Sequence, residues 1–62
     1  MTLNPFALNC QAAVAFRMLA DATGDQTLRL RAETILDTVG PMAHTQGPDA
    51  AQFLLARRAV LR

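Results

Sequence analysis

Tryptophan, tyrosine and lysine are missing from this chain, and cysteine and histidine occur once each. One cysteine, Cys10, can form no internal disulfide and no multi-cysteine metal cage. With 5% aromatic residues against 52% hydrophobic ones, the apolar content is largely alanine and aliphatic. Alanine-rich helices approach closely, but each contact contributes little, which suits helix stacking better than an isolated core. The missing lysine leaves all positive charge on arginine, at Arg17, Arg29, Arg31, Arg57, Arg58 and Arg62. That uniformity reads as codon or genome bias. The arginines are scattered and the net charge is only +1, so there is no dense basic stripe to follow a phosphate backbone. No nucleic-acid partner is expected. Arg57, Arg58 and Arg62 come nearest to a cluster and read as a solvated helix end facing the negative pole of its dipole.

A long apolar run is lacking too. Residues 7–22 are the most apolar stretch, but Asn9, Gln11, Arg17 and Asp21 interrupt them, and a membrane-spanning helix needs about 20 predominantly apolar residues. No basic region precedes this stretch, so neither an export signal nor lipid attachment at Cys10 is expected. The expectation is a soluble, cytoplasmic protein without membrane association. A chain of 62 residues makes one small domain, and a domain near that size buries only about 60% of the surface its unfolded chain exposes. Disulfides are excluded, so a partner chain is the support that remains.

What is present is helical periodicity divided by turn residues. Asn4-Pro5, Thr23-Gly24-Asp25, Gly40-Pro41 and Gly47-Pro48 delimit three expected helices, at about 5–22, 26–39 and 48–61. The fold class is all-α, a helical hairpin followed by a third helix, in one small unit. Asn4 is placed to cap the first helix, with Pro5 at its first position. Gly24 can adopt the left-handed conformation that ends a helix, and Asp25 can accept hydrogen bonds from the free amides that begin the next. On a helical wheel Leu8, Ala12, Ala15, Phe16, Leu19 and Ala22 cluster, and Val14 and Met18 widen the apolar arc beyond half the circumference. Asn9, Ala13, Arg17 and Asp21 form the more polar side, with Arg17 and Asp21 as a weak surface pair. Such a helix calls for neighbours on two sides, and Leu8, Val14, Phe16, Met18 and Leu19 are its candidate interaction face.

The second helix has a narrower stripe of Leu28, Ala32, Ile35, Leu36 and Val39, with Arg29, Glu33 and Asp37 turned away. Leu30 falls on its polar side, where it either packs against a further element or stays exposed. Gly40-Pro41 is expected to stop this helix and residues 42–47 to form a polar loop. Apolar residues of the third helix do not settle on one face: Arg57 sits amid Ala50, Phe53, Val60 and Leu61, while Leu55 points elsewhere.

Chemistry-bearing residues are few. Cys10 has no neighbouring His, Lys or second Cys to lower its pKa and reads as a small buried hydrophobe. His44 has no Cys or carboxylate at metal-ligand spacing. Capping accounts for Asp25 and an ion pair for Asp21, so the two do not form an acid-base pair. Gln11 lies within the apolar arc, where it either meets water near the helix start or points into a ligand cavity of a larger assembly. The expectation is no catalytic, cofactor-binding or metal-binding residue, no cofactor and no enzyme activity.

The run Asn9-x-Gln11-Ala12-Ala13-x-Ala15-x-x-Met18-Leu19-Ala20-x-x-Thr23-Gly24-Asp25, followed by Arg31-Ala32-Glu33-x-Ile35-Leu36, resembles one helical hairpin of an α/α toroid. It is most similar to the C-terminal toroid portion of the large thioredoxin-domain proteins that include the spermatogenesis-associated ones. Residues 48–55 resemble the proline-led helix that follows there. Similarity to other six-hairpin toroids, among them sugar-isomerising epimerases and glycosidases, is weaker. The resemblance implies a fold and a structural role as a fragment of a larger toroid; it carries over no catalytic residue. Two functions follow as expectations: a structural segment whose partner is the remainder of a toroid, or a stand-alone module that dimerises or docks on a protein through its first helix.

Overall fold

A computed structural model describes residues 5–61, which are helical except at Gly24, Asp25 and Gln46. The protein is all-α. Three α-helices span Pro5–Thr23 (α1), Gln26–Val39 (α2) and Ala50–Leu61 (α3), and two 3-10 segments, Gly40–Thr45 and Gly47–Asp49, join α2 to α3. Asn4, the expected cap of the first helix, lies outside the described residues.

Alanine makes α1 a strong helix former, and Pro5 starts it with a backbone angle already fixed for the helix. The turn at its end is held locally. Gly24 takes φ +72°, and its N–H donates to the Ala20 carbonyl at 2.7 Å. Asp25 follows in an extended conformation, and its Oδ1 accepts from the Thr27 N–H at 2.8 Å. The reversal lays α2 back along α1, and α3 then packs against both.

The core is one cluster made from all three helices: Phe6, Cys10 and Ala13 of α1, Ala32, Leu36 and Val39 of α2, and Ala56 and Val60 of α3. Ala13, Ala32 and Val60 have no exposed surface at all. The second helix thus buries the centre of the stripe read from its sequence. The first does not. Its inward line is Phe6, Cys10, Ala13 and Ala20, which includes a residue assigned to the polar side of the wheel.

Arg17 shares that inward side and is 13% exposed. Its guanidinium Nη1 donates to the Val60 carbonyl at 3.1 Å, across the α1–α3 junction. Nε lies 3.0 Å from Asp21 Oδ1 as an ion pair whose alignment falls short of a hydrogen bond. What the sequence presents as a surface pair therefore ties the first helix to the last turn of the third.

The second helix ends at Val39, where Gly40-Pro41 is expected to stop it, but the connection that follows is not a loop. Gly40 does not turn left-handed; it continues the right-handed path at φ -53°, ψ -48° and donates to the Leu36 carbonyl. Residues expected as a polar loop continue in 3-10 turns, which Pro41 permits because it stands where its missing N–H has no partner to lose. Gly40 lies close under a side chain: a Cβ there would meet the Phe53 ring at 3.2 Å, a tight contact. Phe53 in turn packs on Phe6, ring centroids 6.4 Å apart and tilted by 37°. The α-helical part of the third helix begins at Ala50, after a 3-10 turn that holds Pro48.

The Arg17 tie sets up a comparison of two variants. Arg17→Ala should lower stability by about 1–2 kcal/mol, from the lost charge-assisted hydrogen bond and buried stem. Asp21→Asn should cost less than about 0.5 kcal/mol, because the Asp21 side chain is half exposed and exposed pairs contribute little. Thermal melts followed by circular dichroism measure both.

Candidate functional site

Titratable and nucleophilic groups are dispersed over the structure. Cys10 is a free thiol with 1% of its surface exposed. Burial pushes its pKa above the ordinary value of 9.0, the opposite of what a nucleophile needs. His44 is exposed on the 3-10 segment Gly40–Thr45. Asp25 is engaged at the start of α2 and Asp21 with Arg17. Among the described residues, no three His, Cys, Asp or Glu side chains come together as a metal site would require.

The features that call for a partner are surfaces. Leu8, Met18 and Leu19 of α1, Leu30 of α2, and Leu54, Leu55 and Leu61 of α3 are all exposed. Of the five residues expected to form the interaction face of α1, Val14 and Phe16 are half-buried against the core, while the other three face outward. Leu8, Ala12, Ala15, Leu19 and Ala22 alternate at spacings of four and three residues, which is the repeat of a helix-packing seam. At about 100° per residue this line runs opposite Phe6, Cys10, Ala13 and Ala20. It is uncharged as well, since the charged residues of α1 are Arg17 and Asp21, which face each other.

A second surface lies on the third helix, where the sequence reading already turns Leu55 away from the other apolar residues but does not place Leu54 or the arginines beside it. Cys10, Gln11, Val14, Gln52, Leu55 and Ala56 line a shallow groove of about 210 Å³ between α1 and α3. Ala51, Leu54, Leu55, Arg57 and Arg58 line a wider depression of about 430 Å³ on the outer side of α3. Leu55 borders both. The signal was the i, i+3, i+4, i+7 spacing of Ala51, Leu54, Leu55 and Arg58, hidden because the helix also has apolar residues on its buried side. Gln11 is exposed at the rim of the groove, in reach of water. No described helix is long and apolar enough to cross a membrane.

The thiol gives a direct check on the core. Its raised pKa keeps a proton on the folded protein that the unfolded chain gives up as pH rises past the ordinary thiol value. Stability should therefore be fully present below about pH 8.5 and fall as pH rises towards the folded-state pKa. Cys10→Ala should flatten that decline in urea titrations run at a series of pH values, and in native wild type a thiol reagent should label Cys10 only as fast as the bundle opens.

Comparison with protein-family models, with curated proteins and with solved structures found no match to this chain.

Proposed function

We propose that this chain is a non-catalytic helix-packing module of the cytoplasm whose role is association with protein through the outer face of α1. The observation that carries this reading is the uncharged seam of Leu8, Ala12, Ala15, Leu19 and Ala22, set opposite the buried line of the same helix. A small domain seldom leaves such a line in water without use. Its two leucines set among three alanines suit an antiparallel second copy, where each leucine of one seam can lie over small residues of the other. An uncharged face also brings no like charges together in such a pair.

The resemblance to α/α toroids supports a second reading, a structural hairpin of the kind found in the toroid portion of the large thioredoxin-domain proteins. Exposed Leu30 on α2 and Leu54 and Leu55 on α3 favour it, because a hairpin within a toroid has neighbours on more than one side.

Light scattering and far-ultraviolet circular dichroism over a concentration series distinguish the two. The module reading expects full helicity throughout, with molar mass rising from monomer towards dimer, and Leu19→Glu holding the protein monomeric without loss of helix. A helical protein that stays monomeric at every concentration overturns self-association through α1. A monomer of low helicity favours the toroid segment.

A further inference from the structure

We infer that the outer face of α3 is a docking surface for an acidic amphipathic helix. This does not depend on the α1 reading, since it uses different residues and a different chemistry. Three observations converge on it. Leu54 and Leu55 are 60% and 61% exposed, and side by side they flank Arg58 on one face of the helix. Leu55 borders both the α1–α3 groove and the open depression between side chains on the outer side of α3. The charge is of one sign: α3 contains Arg57 and Arg58 and no acidic residue, and neither arginine makes an ion pair among the described residues.

Those features select the occupant. Apolar depressions that share a wall fit side chains at neighbouring positions of a helix, the usual arrangement when an amphipathic helix lies in a groove. Carboxylates beside those anchors would meet Arg57 and Arg58, whose planar guanidinium groups can each grip a carboxylate through two hydrogen bonds. A second copy of this chain is a poor occupant here. A parallel pairing of α3 faces would set the Arg57 and Arg58 pairs of the copies against each other, and an antiparallel pairing of α3 on α3 brings them no carboxylate, because α3 contains none. An anionic lipid surface supplies the same negative charge together with an apolar phase, and the vesicle arm of the test separates it from a helix.

The test uses the full chain and a fluorescein-labelled helical peptide of about 18 residues, with leucines on one face and glutamates flanking them, beside a twin carrying lysine for glutamate. Fluorescence anisotropy should show binding of the glutamate peptide alone, weakened when salt rises from about 0.05 M to about 0.3 M. The double variant Arg57→Glu/Arg58→Glu should lose at least about tenfold in affinity, and Leu55→Ser should lose a similar factor. Both sites are exposed, so circular dichroism should show unchanged helicity. Leu19→Glu, which reports on the α1 face, should bind the peptide as wild type does. The inference is overturned if neither peptide binds, if both bind equally, if the arginine variant binds unchanged, if Leu19→Glu also abolishes binding, or if phosphatidylglycerol vesicles bind as tightly as the glutamate peptide.

Discussion

The burial of small side chains where α1 meets α2 constrains the rest of the structure. Cys10, Ala13 and Ala32 are 0–1% exposed, and none has a side chain long enough to fill space between distant helices. Helices joined through such residues lie close together, and closeness fixes rotation. Once Cys10 and Ala13 face inward, residues about half a turn away on the same helix must face out. Leu8, Leu19 and Met18 are those residues. Their exposure follows from that rotation, which turns Phe6, Cys10, Ala13, Arg17 and Ala20 inward.

Arginine shows how the same residue type takes opposite parts within this frame. Arg17 lies largely within the α1–α3 junction, its stem against apolar surface and its head on the Val60 carbonyl. A carbonyl at the end of a helix has no partner within that helix, and Arg17 supplies one from 43 residues away in sequence. The last turn of α3 is therefore served from outside the helix. Arg57 and Arg58, which the sequence presents as the natural partners of that helix end, are left facing solvent beside Leu54 and Leu55. Arg57 and Arg58 make no ion pair among the described residues, and Arg58 stands in the last turn, where it faces the helix dipole; the proposed carboxylate-bearing partner would pair both.

The legible parts of this fold are those where one local rule dominates. The Gly24-Asp25 turn could be read because glycine conformational freedom and an Asp side chain both act within a few residues. The second helix could be read because its apolar stripe is narrow, so only one face can be buried. In α1 the apolar arc exceeds half the circumference, and a wheel cannot then say which side turns inward. Ala13 looked polar by the company of Asn9 and Arg17, yet it is fully buried, and Arg17 turns inward on the same side of the helix. Gly40-Pro41 looked like a stop because glycine and proline usually end an α-helix. The α-helix does stop there, at Val39, but the chain keeps turning right-handed in 3-10 form instead of opening into a loop, with the Phe53 ring close to Gly40. The α1–α3 groove was out of reach for the same reason: its walls come from helices whose separation only the folded chain determines.

The two outward faces differ in what they can discriminate. The α1 seam carries no charge, so a partner is selected by fit alone, and alanine seams accept many helices that come close enough. The α3 face adds sign to shape. A partner without acids would leave Arg57 and Arg58 partly desolvated and unpaired beside apolar contacts, a cost that grows with the quality of the apolar fit. The same leucines that attract a helix thus make the wrong helix more expensive. Selectivity on α3 comes from arginines adjacent to the hydrophobic contact, and it needs no deeper pocket than a bundle of this size can build.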